Sequence, residues 1–183
     1  GCSTWTEAPA KIQWASGIDQ MKAVDSELPN VGLKGDYWTS YLYMSDEFTE
    51  FEGSVMSIDP AGRGADKTAY CVLKMLHGVL YLTAIGGLDG GYSDDTLKKL
   101  ANIAKKHNVN DIVIESKFGD GMATQLLKPV LADIHPCNVE EVRHSIQKEK
   151  RIIDTLEPIM NTHRLFIDDK LIKDDFQLDP DHQ

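Results

Sequence analysis

Three apolar, β-type runs stand almost end to end, Val55 to Ile58, Ala69 to Met75 and Val79 to Ile85, and this spacing limits the possible folds more than any other feature. The second and third are separated by His77-Gly78, a pair suited to a two-residue hairpin turn. The first and second are joined by a glycine-bearing segment, Gly62-Arg63-Gly64. Connections this short cannot hold a crossover, so the three runs predict an antiparallel meander. The period then changes. Ser93 is a good N-cap, Asp94 and Asp95 fall in a favourable first turn, and Leu97, Leu100, Ala101 and Ala104 share one helical face, with Asn108 as the stop.

Asp111 to Glu115 reads as a fourth strand, about Gly121 to Leu131 as a helix interrupted near Pro129, and Val139 to Arg143 as a fifth strand. Ser145 opens a further helix with Ile152, Leu156, Ile159 and Met160 on one face, and Leu165 to Ile167 is a last short apolar segment. The order β-β-β-α-β-α-β-α predicts an α/β domain over residues 51–183, built on a mixed five-stranded sheet. Residues 1–50 carry Trp5, Trp14 and Trp38 among turn-forming residues without a sustained period, which predicts an arm that packs through its aromatics.

The length of 183 residues fits one domain plus such an arm. No apolar run is long enough to span a bilayer and no signal peptide opens the chain, so an intracellular protein without a membrane partner is expected. Cys2, Cys71 and Cys137 are widely spaced, which argues against a disulfide framework or a zinc site; Cys71 reads as a small core residue. His77 and His107 fall at a turn and a helix end, both expected at the surface.

The formal charge of −10 excludes a general basic coat for nucleic acid. The excess is at the flanks: residues 1–58 hold 3 basic and 9 acidic side chains and residues 159–183 hold 3 and 6, leaving 13 and 14 in between. A nearly neutral middle can still bind DNA through a local basic patch, above all where bound cations cancel part of a site's charge.

Two of the strands end in carboxylates, Asp59 after Ser57-Ile58 and Glu115 after Val113-Ile114. Strand ends are rigid and project side chains into a crevice, so neighbouring carboxylates can share hard cations such as Mg2+ or Mn2+. Two ions roughly 3.5 to 4 Å apart would stabilise the attacking and the leaving oxygen of a phosphodiester displacement. Asp59 alone reads equally well as a turn former, whereas Glu is poor in turns and Glu115 needs another reason.

The segment Gly62-Arg63-Gly64-Ala65-Asp66-Lys67-Thr68 imitates a phosphate loop but is one residue short before the lysine, and Asp66 would repel a phosphate. A β-type run follows it, where a phosphate loop must feed a helix. Two readings remain: a turn joining antiparallel strands, or a turn that also serves a metal and phosphate site, with Asp66 nearby and Arg63 or Lys67 meeting a DNA phosphate.

A first strand ending in Asp, two more strands, a helix and a strand ending in Glu is the order of the ribonuclease H-like nucleases. More narrowly, Ser57-Ile58-Asp59-Pro60-Ala61-Gly62-Arg63-Gly64 with Asp66, together with Val113-Ile114-Glu115-Ser116 and Phe118-Gly119-Asp120-Gly121, resembles the C-terminal nuclease domain of the large terminase subunit of tailed bacteriophages, in particular podophages of the T-seven group. The resemblance covers roughly residues 50–167.

It implies a metal-dependent endonuclease that cuts concatemeric double-stranded DNA during genome packaging in the host cytoplasm. Asp59 and Glu115 would be catalytic metal ligands in a two-metal site holding Mg2+ or Mn2+, and Asp66 an auxiliary carboxylate. The implied partners are double-stranded DNA, the portal, the small terminase subunit, the procapsid, and an ATPase domain of the same polypeptide to which residues 1–50 would connect. The family takes a third acidic ligand from a C-terminal helix. Asp168-Asp169 and Asp174-Asp175 are acidic pairs without such a helix after them; either one of these pairs substitutes, or the third ligand lies beyond Gln183, which is the favoured expectation.

Candidate phosphate contacts are Arg63, Lys67, Lys117, Arg143, Lys148, Lys150 and Arg151; the run from Arg143 to Arg151 also reads as an ordinary solvated helix face. Alternatives are a junction-resolvase or transposase-like nuclease, which would prefer branched or end-specific DNA, a sugar-kinase or actin-like ATPase domain, which would bind ATP, and a noncatalytic docking module of the packaging motor.

Overall fold

The computed structural model describes residues 7–9, 12–13, 43–44, 46–60, 67–115, 121–143, 150, 158, 165–167, 171 and 174. Four short strands lie in the first fifty residues: β1 (Glu7–Pro9), β2 (Ile12–Gln13), β3 (Tyr43–Met44) and β4 (Phe48–Glu50). β1 pairs antiparallel with β4, and β2 with β3. No periodic pattern announces them, because their partners lie far away in sequence. Trp5, Trp14 and Trp38 fall outside the described residues, as does the helix expected from Ser145 apart from Lys150 and Pro158.

The main sheet is built from β5 (Gly53–Asp59), β6 (Thr68–Leu76), β7 (Val79–Leu88), β8 (Asp111–Glu115), β9 (Asn138–Val142) and β10 (Leu165–Ile167), with α1 (Asp94–Lys106) leading into β8 and α2 (Met122–Ile134) leading into β9. The spatial order is β10-β7-β6-β5-β8-β9. The expected α/β class and mixed sheet are present, but with six strands in place of five. The sixth is the apolar segment Leu165–Ile167, which pairs parallel with β7. A three-residue strand has too little alternation to declare itself, and only the edge of β7 makes it one.

β6 is antiparallel to both neighbours, while β5 pairs parallel with β8 and β8 with β9. Every strand of the sheet except β6 therefore runs the same way. The meander closes at His77 and Gly78, whose φ values of 50° and 75° give the doubly left-handed turn that suits strand twist. The glycine segment leads into a strand beginning at Thr68, which removes the phosphate-loop reading. The two helical connections move in the same direction across the sheet, so right-handed crossovers put both helices on one face.

That face holds the core. Met56 and Ile58 of β5, Val72 of β6, Ala84 of β7, and Ile112 and Ile114 of β8 pack against Leu97, Leu100, Ala101 and Ala104 of α1 and Ala123, Leu127 and Leu131 of α2. Each large aliphatic side chain buried there contributes roughly 1.5–3 kcal/mol. α1 starts as expected: the Ser93 hydroxyl accepts from the Thr96 N–H at 3.3 Å. It stops with Asn108 at φ 50°, where the Asn108 N–H donates to Lys105 O and the Val109 N–H to Ala104 O. This is a Schellman stop, sealed by the buried contact of Val109 with the core. α2 runs through Pro129 to Ile134, further than expected. The carbonyl that Pro129 leaves without a helical donor belongs to Gln125, an exposed residue.

His107 corrects an expectation. It is only 6% exposed, and burial, together with the charges of Lys74 and Lys106, lowers its imidazole to a pKa of about 4. Its position at a helix end says nothing about what packs on that end; here it is the sheet. A second apolar cluster lies at the β6–β7 hairpin end. Ala8 of the arm is fully buried with Leu76 and Tyr81, against Phe51, Val79 and Phe166. The Phe51 and Tyr81 rings meet edge to face at 5.3 Å, and Lys74 Nζ lies 5.2 Å from the Phe51 ring centroid. The arm thus packs on the end of the sheet opposite Asp59 and Glu115.

Candidate active site

β5 and β8 are in parallel register, with Ile58 opposite Ile114 as their last pair. Asp59 and Glu115 are the next residue of each strand, so the two carboxylates stand level on neighbouring strands, whose axes are about 4.8 Å apart. Alternation sets the face. Met56, Ile58, Ile112 and Ile114 all turn into the helix-covered core. Asp59 and Glu115 therefore lie on the opposite face, and both are half-buried. Like charges so placed repel, and a divalent cation between them removes the repulsion, which is the condition for a hard-metal site.

Among the described residues, the floor beside the carboxylates is made of small side chains. Asp59 pairs with Ala69 on β6, and Ala69 pairs with Gly87 on β7, so the floor beside Asp59 carries a methyl group and a hydrogen. Lys67 is exposed and lies along this floor: a Cβ built on Gly87 would meet Lys67 Cβ and Cδ at 3.4 Å. Small residues here let a bulky polyanion approach the backbone closely. On the other side of Glu115 its strand partner is Val142 of β9, which is followed directly by the exposed Arg143.

The structure thus brings together Asp59, Glu115 and Lys67 on one face, with Arg143 one residue beyond the partner of Glu115. Lys150 is exposed. Arg63, Asp66, Lys117, Lys148 and Arg151 lie outside the described residues, as do Asp168, Asp169 and Asp175, while Asp174 is exposed. β10 ends at Ile167, which is level with Leu82, Leu73 and hence Val55, four residues short of Asp59. Among the described residues no group of three or more His, Cys, Asp or Glu side chains is placed to hold a metal ion. Asp59 and Glu115 fit as two ligands of such a site.

A small apolar crevice opens at this end of the sheet, lined by Ile58, Thr68, Tyr92, Leu97, Ile114 and Leu127 among others. It lies on the helix face, away from the carboxylates, and has neither the charge nor the polarity to bind a metal or a phosphate. Sequence reasoning missed one residue near the site. Glu141 of β9 accepts from the Gly121 N–H at 3.3 Å and from the Thr124 hydroxyl at 2.9 Å, at the start of α2. The only local signal was a negative one: this helix begins without a capping side chain.

Comparison with known proteins places this geometry in a family. Residues 58–165 match the family described as terminase of bacteriophage T7, ribonuclease H-like domain. The chain is 45% identical over 171 residues to the terminase large subunit of Enterobacteria phage T3, covering 93% of this chain and 29% of that protein. It therefore spans under a third of the relative's length. Among solved structures, the large terminase from a thermophilic bacteriophage superposes with a TM-score of 0.50 at 17% identity, covering 69% of this chain and 31% of that one. The manganese-soaked, inhibitor-bound human cytomegalovirus terminase nuclease domain does so with a TM-score of 0.47 at 11% identity, covering 66% and 64%. With its strand order, its strand-end carboxylates and the matched span of more than half its length, the chain belongs to the ribonuclease H-like domain family of the T7-type large terminase.

Proposed function

We propose that the chain is a metal-dependent endonuclease domain of a DNA-packaging terminase large subunit, cutting double-stranded concatemeric DNA at the face that carries Asp59 and Glu115. The observation that carries this reading is the register of β5 with β8, which sets the two carboxylates side by side on the face opposite the helices. Asp59 and Glu115 would hold Mg2+ or Mn2+; when bound, the ions supply an activated water and a counter-charge for the leaving 3′ oxygen.

This chain's own residues do the rest. The β5–β8 ladder fixes the spacing of the two carboxylates, the Ala69–Gly87 floor admits the sugar-phosphate backbone, and Lys67 lies along it with positive charge that holds phosphates without reading bases, with Arg143 at the end of β9 as a further contact. Arg63, Lys117, Lys148, Lys150 and Arg151 extend that contact, and Asp66 serves as an auxiliary carboxylate. Residues 1–50 connect residues 51–183 to an ATPase domain of the same polypeptide. The whole acts in the host cytoplasm with the portal, the small terminase subunit and the procapsid.

The test is conversion of supercoiled plasmid to nicked and linear forms in Mg2+ and in Mn2+, comparing the chain with its Asp59→Asn variant. Cleavage by the parent and at least a hundredfold less by the equally stable variant is expected, since the substitution removes a charged ligand. Equal cleavage by both would exclude Asp59 from the chemistry and overturn the proposal.

A further inference from the structure

Two glycines stand side by side near the end of β7, Gly86 and Gly87, although a residue without a side chain weakens a strand. Neither lies in the left-handed region, so the backbone conformation does not call for glycine at either position. Gly86 has a packing reason. A Cβ there would lie 2.6 Å from the Tyr70 hydroxyl oxygen and 2.8 Å from the ring carbon that bears it, so the tyrosine occupies the space a side chain would need.

Gly87 has no such reason. It turns to the face of Asp59 and Glu115 and is exposed. The nearest atoms that a Cβ on it would meet are Lys67 Cβ and Cδ, each at 3.4 Å, and the Thr68 carbonyl oxygen at 3.8 Å. These are ordinary contact distances, so the fold itself would accept a methyl group here. What the glycine leaves room for is the stem of Lys67.

The register shows what that room does. Ala69 pairs with both Asp59 and Gly87, so Lys67 starts two residues beyond the row that holds Asp59. Its stem nevertheless lies against Gly87, on a diagonal that leads back to this row. The ammonium group, two bonds beyond Cδ, is thereby kept over the site face, and a branched side chain at position 87 would take the place of the stem and turn the charge away.

From these contacts we infer that Gly87 is a positioning residue, which seats Lys67 so that its charge stays beside the row of Asp59, ready for a DNA phosphate neighbouring the one that is cut. Gly87 itself stands about 10 Å from Asp59, two strand spacings away, and so has no direct part in the metal site. That the anion is DNA rests on the nuclease reading above; the seating of Lys67 does not.

The experiment uses the full chain with Gly87→Ala, Gly87→Val, Lys67→Ala, the double variant of Gly87→Val with Lys67→Ala, and Asp59→Asn. Thermal unfolding, side-chain NMR of isotope-labelled lysine, and fluorescence anisotropy of a labelled duplex in Mg2+ over a range of NaCl concentrations are measured. Gly87→Val unfolds at or above the parent temperature, because the strand gains a β-branched residue. The Lys67 Cδ and Cε resonances shift and gain mobility on the ps–ns timescale. Duplex binding weakens about fivefold and its salt slope falls by about one, both as in Lys67→Ala. The double variant binds no more weakly than Lys67→Ala alone, since the two changes remove the same contact. Gly87→Ala falls between the parent and valine.

Parental Lys67 resonances in Gly87→Val would overturn the inference. So would additive losses in the double variant, which would mean that valine obstructs the face without acting through Lys67, and so would a markedly lower unfolding midpoint in both Gly87 variants, which would give the glycine to the fold. If neither Lys67→Ala nor Asp59→Asn alters duplex binding, the nuclease reading fails, and the lysine resonances still decide whether Gly87 seats Lys67.

Discussion

Asp59 and Glu115 were legible from the sequence because a residue at the end of an apolar run needs only local alternation to be placed. Lys67 was legible for the same reason, standing one residue before a strand. His107 was not, since its burial and the nearby charge of Lys74 come from outside its own helix. It yields a prediction at its own scale. Its folded pKa is lowered to about 4, whereas the unfolded chain titrates near 6.5, so the unfolded state binds the extra proton first. Stability is therefore complete above about pH 6.5, falls as the pH drops through that window, and has lost the full contribution below about pH 4, about 3 kcal/mol in all. Urea unfolding at pH 7 and pH 4 should show this loss in the parent, and the loss should be smaller by about that amount in His107→Leu. Identical pH dependence in both would mean that the imidazole is not held neutral by the fold.

At the scale of elements, α1 was readable from end to end because each of its signals is local: the Ser93 cap, the acidic first turn, the apolar stripe and the Asn108 stop. The exposed pairs Lys98–Asp94 at 2.9 Å and Lys99–Asp95 at 3.1 Å add only a few tenths of a kcal/mol each. The left-handed Asn108 is the more informative residue. Replacement by glycine should leave the midpoint of thermal unfolding unchanged or slightly higher, whereas Asn108→Val should destabilise by about 1–2 kcal/mol, because a β-branched side chain resists φ 50°. Equal stability of the two variants would show that the stop does not depend on that conformation. α2 was less readable, since its start is completed by Glu141, twenty residues beyond Gly121. β10 and the arm strands escaped for the same reason: their partners, not their own residues, make them strands.

For the whole molecule, the meander and the mixed sheet followed from the sequence, because three strands with short connections followed by helical crossovers leave few topologies. The number of strands did not. The charge of −10 carries a prediction at this scale. Without divalent cations the chain should bind duplex DNA weakly, and millimolar Mg2+ should tighten binding, opposite to the ordinary effect of added salt on protein–DNA affinity. Fluorescence anisotropy of a labelled duplex in EDTA and in Mg2+ measures this, with Asp59→Asn as the variant whose Mg2+ response should shrink. Equal weakening by Mg2+ and by matched NaCl would remove the ions from the recognition of DNA.

The arm, packed at the far end of the sheet, also has a mechanical meaning. β4 passes through Phe51 and Glu52 directly into β5, whose last residue is Asp59, so one backbone path joins the arm to the site. Tension applied from the arm acts along β5, a strand paired on one side through seven residues of β6 and on the other through four of β8. Hydrogen bonds perpendicular to that pull must slide together rather than open one after another. The edge strands β9 and β10 lack this protection, being held on one side only. A molecule pulled through its arm therefore keeps Asp59 in place while its margins yield.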